Sequence, residues 1–276
     1  MIKDFTGLIN ATTISIRNFT DCAVLGLSGG ADSTLVAILS AMALGQENVY
    51  GIGLPYSDLD KQTFNSRSAR IAHRLNIHYL EIPIKKQVDA IIESLKWDDD
   101  HPMELDAIQL GNIKARVRMA TLYGLNGAFS DEGTRYRVIG TGNFSEDFIG
   151  YDTKGGDALA DIFPIGCLFK SEVYQLLDHF ISQGFIEEDL VDRVPSAGLW
   201  EGQTDEGELG HTYADMEPKI VQLVDAYKDE IGEVQTDALT EDVRLRHLAN
   251  KHKHMAPPVL NLRKFCEWND PTGYFA

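Results

Sequence analysis

The stretch Val24-Leu25-Gly26-Leu27-Ser28-Gly29-Gly30-Ala31-Asp32-Ser33-Thr34-Leu35 decides the fold of this chain. The apolar run that leads into it predicts a buried parallel strand, and the apolar residues after it recur at helical spacing. A strand, a glycine loop and a helix bring backbone N–H groups together at a helix N-terminus, where they bind an anion. Gly29 and Gly30 let the backbone approach that anion closely, because glycine has no Cβ. The sequence therefore predicts a phosphate-binding loop at residues 28–33.

The residue types within this loop narrow its chemistry. Ser28 and Ser33 add hydroxyl donors, whereas the carboxylate of Asp32 repels phosphate unless a cation lies between them, so we interpret Asp32 as a Mg²⁺ ligand. The loop has no lysine after its last glycine, as a Walker loop requires, and its glycines do not fit the dinucleotide-binding pattern. It resembles the S-G-G-x-D-S signature of the PP-loop ATP pyrophosphatases, which release pyrophosphate while they activate a substrate as its adenylate. A glycine-rich turn that binds nothing is the alternative.

Length, charge and cysteine content exclude several classes of protein. The 276 residues carry a net charge of −17, and between positions 186 and 242 seventeen Asp or Glu stand against three Lys or Arg. Such acidity argues against binding to a nucleic acid backbone and favours a solvated acidic face. No apolar run reaches the roughly 18 residues of a membrane helix, and the three cysteines form no C-x-x-C pair. From the charged and polar residues near the N-terminus we expect no signal peptide there. We therefore expect a cytoplasmic protein that binds neither membrane nor nucleic acid.

The order of the predicted elements indicates the fold class. Strands alternate with helices, which predicts an α/β fold with a doubly wound parallel sheet flanked by helices and a helical C-terminal elaboration. We expect one domain spanning residues 1–276. The predicted strands are 22–27, 49–54, 77–82 and 136–140. The predicted helices are 1–20, 35–43, 59–75, 88–95, 105–125, a helix from Ser171, 218–231 and 240–251.

A second loop repeats the arrangement of the first. Thr141 and Gly142 follow the predicted end of a strand, and Glu146 comes shortly after them. Ligands bind beyond the carboxyl ends of the strands in such sheets, so Glu146 and Asp32 could share one Mg²⁺ while phosphates supply the remaining oxygens. An ordinary carboxylate in the first turn of a helix is the alternative for Glu146 alone.

Three basic residues are further candidates for the site. Lys170 immediately precedes a predicted helix, where a cation is unfavourable for the helix dipole unless a phosphate lies there. Arg116 and Arg118 lie two positions apart on a predicted helix, so their side chains diverge. We expect one of the two arginines to contact substrate and the other to make a structural pair, and the spacing does not decide which.

Five segments together resemble the ammonia-dependent NAD synthetases, namely 27–35, 111–123, 140–170, 195–210 and 252–253. Their order and spacing match the family over nearly the whole chain. The resemblance implies an adenine nucleotide alpha hydrolase-like fold in a homodimer. It also implies that ATP and Mg²⁺ adenylate the nicotinate carboxylate of deamido-NAD and that ammonia then displaces AMP. We expect no glutaminase domain, so free ammonia or a separate glutaminase would supply the nitrogen.

The resemblance also implies roles for individual residues. Asp32 and Glu146 would bind Mg²⁺ and, with Lys170, would be the catalytic groups. The ATP-binding residues would be Gly26, Leu27, Ser28, Gly29, Gly30, Ala31, Asp32, Ser33, Thr141, Lys170 and Ser196. The deamido-NAD-binding residues would be Arg116, Lys154, Asp161, His252 and Lys253.

Four positions depart from the family pattern. Gly155 stands at a usually aromatic position, Ala158 replaces a glycine, Gly198 replaces an acidic residue, and His254 replaces an arginine. Most of these changes fall on the side that would hold the second substrate. Two alternative functions therefore stay open. The protein would be a PP-loop ligase that amidates a different carboxylate, or a catalytically silent regulator that binds a nucleotide. A PP-loop enzyme that modifies RNA bases is disfavoured by the acidic charge.

Overall fold

A four-stranded parallel sheet forms the centre of the computed structural model, which describes residues 1–56, 66–95, 104–130, 132–191, 194, 202–228 and 237–255. The strands are β1 (Cys22–Gly26), β2 (Val49–Gly53), β3 (His78–Glu81) and β4 (Tyr136–Val138), in the order β3-β2-β1-β4. β1 pairs with β2 at Ala23–Val49 and with β4 at Cys22–Tyr136, and a bridge from Ile139 to Ile162 prolongs the edge. The predicted doubly wound α/β fold is confirmed.

Ten α-helices accompany the sheet in the described part of the chain. They are α1 (Phe5–Phe19), α2 (Ala31–Leu44), α3 (Ser66–Leu75), α4 (Lys85–Ser94), α5 (Ala107–Phe129), α6 (Phe144–Ile149), α7 (Lys170–Ser182), α8 (Asp205–Leu209), α9 (Tyr213–Lys228) and α10 (Ala238–Asn250). Within the residues described, no helix combines the length and the apolar character that crossing a membrane requires.

Several helix boundaries differ from those predicted, and capping residues explain two of them. α5 begins at Ala107 because Asp106 and Gln109 form a capping box there. α9 begins at Tyr213 rather than near Pro218, because the Thr212 hydroxyl accepts the N–H of Asp215, and the proline lies inside the helix. α4 starts earlier than predicted, and α7 includes Lys170 as its first residue. The first part of the predicted helix 59–75 lies outside the described residues.

The central strands β1 and β2 are buried on both faces, as is typical of a parallel sheet, whereas the edge strand β3 is largely exposed. Ala23 and Leu25 of β1 face α1, α2 and α7, whereas Cys22 and Val24 face α4 and α5. Val24 and Leu25 are fully buried. A third apolar cluster joins α6 to α9 and α10 through Phe148, Met216 and other apolar side chains. The helical C-terminal elaboration therefore packs against α6, the short helix that carries Glu146.

Candidate active site

The loop after β1 is held in shape by its own hydroxyl groups. Ser33 Oγ accepts a hydrogen bond from the backbone N–H of Ser28 (3.2 Å), and the two serine hydroxyls lie 3.0 Å apart. Thr34 Oγ1 donates to the carbonyl of Gly30 (2.8 Å) at the start of α2. Gly29 has a φ of +89°, which side-chain-bearing residues rarely adopt. Internal hydrogen bonds thus hold the predicted phosphate loop in a defined shape.

Asn143 connects this loop to the second one. Its side-chain oxygen caps α6 by accepting the N–H of Glu146 (3.2 Å), and its Nδ2 donates to Asp32 Oδ1 (3.1 Å). The strand ends of β1 and β4 are neighbours in the sheet, so one buried side chain can span the two loops. Asp32 and Glu146, which lie far apart in sequence, are brought together at this edge.

Lys170 joins the two carboxylates directly. Its Nζ donates to Asp32 Oδ2 at 2.5 Å and to Glu146 Oε1 at 2.9 Å, and its side chain is only 5% exposed. The position of Lys170 before a helix predicts a phosphate beside it. In the structure its ammonium is paired with the carboxylates of Asp32 and Glu146. The three predicted catalytic groups therefore form one contiguous cluster.

Burial and charge shift the ionisation of this cluster. Burial raises the pKa of Glu146 well above its usual value, and Asp32 adds to the rise while Lys170 opposes it. Burial works against the charge on Lys170, but Glu146 and Asp32 outweigh it and hold the lysine pKa well above its usual value. The lysine therefore stays charged at neutral pH.

The donor set fits a divalent cation. One oxygen of Asp32 and one of Glu146 both lie within hydrogen-bond distance of a single atom, Lys170 Nζ. Carboxylate oxygens are the ligands that Mg²⁺ prefers, and phosphate oxygens commonly complete its shell. If Lys170 Nζ moved toward a bound phosphate, the carboxylates of Asp32 and Glu146 would both face the space that Nζ occupies in this structure.

A cleft of about 160 Å³ opens above this cluster. Of the predicted ATP-binding residues that the structure describes, Ser28, Gly30, Ala31, Asp32, Ser33, Thr141 and Lys170 line it, and Gly26, Leu27 and Gly29 do not. The Leu27 side chain is instead buried in the core, and its N–H donates to Ile52 O (2.9 Å). Ser196 lies outside the described residues.

Four of the predicted deamido-NAD-binding residues gather beside this cleft. Arg116 Nε donates to Lys154 O (3.2 Å), and Lys154 Nζ donates to His252 O (2.8 Å). Lys253 Nζ donates to the carbonyls of Gly150 (2.6 Å) and Asp152 (2.7 Å). The segment 252–254, which we call the C-terminal strap, is thereby tied to the loop at 150–154.

The other predicted polar residues have structural contacts. Asp161 accepts the N–H of Val138 (2.8 Å) and the hydroxyl of Tyr123 (3.2 Å), so its carboxylate supports the end of β4. Arg118 Nε donates to Leu54 O (3.2 Å), just beyond β2. Of the two diverging arginines, Arg118 therefore supports the fold and Arg116 lies beside Lys154.

Two of the four departures have a local explanation. Gly155 has a φ of +71°, so an aromatic side chain at this position would strain the backbone. His254 Nε2 lies 2.7 Å from Asp152 Oδ2, a pairing that the family's arginine could also make. Nothing in the structure explains Ala158, and Gly198 lies outside the described residues.

Comparison with known proteins identifies the family of this chain. The model of the NAD synthase family matches residues 8–257. The chain belongs to the NAD synthase family. An NH(3)-dependent NAD(+) synthetase of Methanosarcina mazei is 37% identical over 87% of this chain and 90% of its own length. One of Pyrococcus horikoshii is 38% identical over 84% of both chains.

Solved structures agree with this assignment. The NMN synthetase of Francisella tularensis superposes with a TM-score of 0.72 at 30% identity, covering 94% of this chain and 97% of that one. An NH3-dependent NAD synthetase of Campylobacter jejuni gives a TM-score of 0.70 at 26% identity, covering 93% and 99%. The protein is accordingly a ligase of NAD biosynthesis.

Sequence reasoning missed two buried carboxylates of this NAD synthase family member. Asp205, only 2% exposed, lines the cleft and accepts a hydrogen bond from the hydroxyl of Tyr213 (3.2 Å). Glu217 is also buried, on α9. The interpretation of residues 186–242 as a solvated acidic face is wrong at these two positions, because an overall charge count does not separate exposed carboxylates from buried ones. Thr204 caps the start of α8, but a cap marks only where the helix begins and does not signal the burial of Asp205.

The pairing of His254 with Asp152 predicts a pH-dependent contribution to stability. The hydrogen bond to Asp152 raises the pKa of His254 above its usual 6.5. The protonated histidine therefore stabilises the fold fully below the unfolded-state pKa, and this contribution is lost as the pH rises through the folded-state pKa. We expect His254→Gln to lower the melting temperature more at pH 5.5 than at pH 9.

Thermal melting of the parent and variant across this range checks the prediction. His73→Gln, at an exposed histidine on α3 away from the cleft, is the matched control. An equal loss of melting temperature by His254→Gln at both pH values would contradict the assignment of a protonated pair.

Proposed function

We propose that this protein amidates the nicotinate carboxylate of deamido-NAD with ammonia, in a reaction that consumes ATP with Mg²⁺ and releases AMP and pyrophosphate. The observation that carries the proposal is the contact of Lys170 with both Asp32 and Glu146 beside a preformed anion loop. The names of the curated relatives support ammonia as the nitrogen donor. We further propose one domain across residues 1–276, working as a homodimer, with ammonia taken up free or from a separate glutaminase.

The residues of the cleft suit a reaction through an adenylate. A carboxylate is a poor acyl donor, so its oxygen first attacks the α-phosphorus of ATP, and the bond to the bridging oxygen breaks as pyrophosphate leaves. Ammonia then attacks the carbonyl carbon, the C–O bond to AMP breaks, and the nitrogen loses a proton. Both steps place negative charge on phosphate oxygens, which fixed donors stabilise.

Each group of the cluster has a defined part in this reaction. The N–H groups at the start of α2, with Ser28 and Ser33, hold phosphate oxygens. Mg²⁺ bound by Asp32 and Glu146 would neutralise phosphate charge. Lys170 keeps its proton and donates to the departing phosphate. We propose that the second substrate is bound by four basic residues, Arg116, Lys154, His252 and Lys253.

A second candidate acid is nicotinate mononucleotide. The relative of Francisella tularensis that superposes on 94% of this chain at 30% identity is named an NMN synthetase. Two departures, Gly155 and His254, also lie beside the residues proposed to hold the second substrate. The two candidate substrates therefore differ in whether the nicotinate is part of a dinucleotide or of a mononucleotide.

One experiment separates these functions. The protein is incubated with ATP, Mg²⁺ and ammonium plus either acid, and AMP, pyrophosphate and the amide product are measured. NAD formed with stoichiometric AMP supports the first proposal, and preferential formation of NMN supports the second. Release of ADP instead of AMP overturns both. Binding of ATP and an acid without turnover, with or without ammonium, supports a silent regulator.

A further inference from the structure

Glu217 makes a buried junction between three helices. Its Oε1 accepts hydrogen bonds from Ser145 Oγ (2.9 Å) and from the N–H of Ser171 (3.1 Å), and its Oε2 accepts from Ser171 Oγ (2.5 Å). The residue is 8% exposed and lies on α9, outside the cleft lining. A single carboxylate thus ties α9 to the first turns of α6 and α7.

The partners of Glu217 are the chain neighbours of two groups in the cluster. Ser145 precedes Glu146, and Ser171 follows Lys170. Ser145 Oγ also accepts the backbone N–H of Lys170 (3.0 Å), which closes a network across the two helix starts. A shift of either backbone would move Glu146 or Lys170 relative to Asp32.

The N-terminus of α7 is fully occupied by protein groups. The N–H of Lys170 binds Ser145 Oγ, that of Ser171 binds Glu217, and those of Glu172 and Val173 bind Phe169 O. An anion commonly fills such a position, because four N–H groups there lack helical partners. Here the Glu217 carboxylate takes the place of that anion, so the described residues of α7 contribute side chains to the cleft, those of Lys170 and Tyr174, and not N–H groups of the first turn.

We propose that Glu217 is a positioning residue that fixes Lys170 and Glu146 in register with Asp32 for binding of the metal–nucleotide complex. The proposal rests on the proposed use of Mg²⁺ and ATP. Glu217 touches neither, and it acts through the backbone of its neighbours. Partners of this indirect kind cost about 10–100-fold in metal affinity or activity when they are removed.

The test compares three variants at this position with a matched control. Glu217→Ala removes the acceptor for three donors. Glu217→Gln keeps one acceptor oxygen and can donate to Ser171 Oγ. Glu217→Asp keeps the charge, but its side chain is one methylene group shorter, so the carboxylate lies farther from its donors. The control is Asp237→Ala, because Asp237 also receives three donors, from Thr240 N–H, Thr240 Oγ1 and Lys219 Nζ, at a helix start remote from the cluster.

Two measurements are made on each variant that keeps its far-ultraviolet circular dichroism. One is the equilibrium affinity for a non-hydrolysable ATP analogue with and without Mg²⁺. The other is steady-state kinetics, which gives the effect of the substitution on kcat and on the KM for ATP separately. We expect Glu217→Ala to lose about 10–100-fold in Mg²⁺-dependent affinity. Glu217→Gln should recover most of that loss, and Asp237→Ala should show none of it.

The outcomes are distinguishable from failure of the proposed function, since analogue binding is measured without the acid or ammonia. A Glu217→Ala protein that melts lower but binds the Mg²⁺ analogue like the parent overturns the proposal. If Glu217→Ala does not fold, Glu217→Asp decides: unchanged affinity overturns the proposal, and a Mg²⁺-dependent loss supports it.

Discussion

Asp32→Asn is expected to lower the rate of the ATP-dependent reaction by about two to three orders of magnitude while the protein stays folded. The substitution keeps the size of the side chain and removes its charge, and the loss of a transition-state interaction of roughly 3–4 kcal/mol corresponds to that rate. In the structure the carboxylate of Asp32 accepts hydrogen bonds from Lys170 and Asn143. Because Lys170 retains Glu146 as a partner, we expect only a small change in melting temperature.

The matched control is Asp21→Asn, at the opposite end of β1. Asp21 pairs with Arg135, whose hydrogen bonds lower the pKa of the Asp21 carboxyl to about 2. Asp21 precedes β1, whereas the anion loop follows it. The Asp21→Asn substitution should therefore leave the rate unchanged. The measurement is the steady-state rate at saturating Mg²⁺, beside thermal melting without ligand. If Asp32→Asn melts far below the parent while its folded fraction turns over normally, Asp32 is structural.

Lys170→Met is expected to abolish activity and to destabilise the protein without ligands. Removing one partner of a buried ionic group leaves the others uncompensated, which costs about 3–5 kcal/mol. Asp32 and Glu146 then face each other across the space that Nζ occupied. Proton uptake by a carboxyl whose pKa is raised relieves this repulsion in the folded state, so the stability of the variant should fall as the pH rises.

Added Mg²⁺ makes this second prediction specific. Since a divalent cation can replace the ammonium between two carboxylates, Mg²⁺ should raise the melting temperature of Lys170→Met more than that of the parent. The double variant Lys170→Met with Glu146→Gln is the control and should lose this extra gain. Equal gains in parent and single variant would argue against a cation site at these two residues.

Local patterns were sufficient to predict the sheet and its loops. Apolar runs located β1, β2, β3 and β4, and glycine with hydroxyl residues located the anion loop at 28–33. The boundaries were less predictable, because the capping box at Asp106 and the cap at Thr212 act through single hydrogen bonds that periodicity does not register. Apolar periodicity also predicted a start for α9 near Pro218, which lies inside the observed helix.

The contacts that assemble the site were harder to predict, because they join distant parts of the chain. Lys170 Nζ binds an aspartate 138 positions earlier, and Ser145 binds a glutamate 72 positions later. Burial of Glu217 follows from the packing of α9 on α6 and not from its own acidic neighbourhood. The choice between Arg116 and Arg118 likewise required the position of each guanidinium in the folded chain.

The C-terminal strap has a consequence for the order in which the enzyme is completed during synthesis. Lys253 reaches the Gly150 carbonyl across 103 positions, and Lys154 reaches His252 across 98. Ribosomes release a chain from its N-terminus, and folding follows that order. The anion loop and its carboxylates can therefore assemble on a nascent chain, whereas the loop at 150–154 acquires its contacts with the strap only after residue 253 has emerged. A nascent chain would thus be able to hold a nucleotide before it could hold the acid.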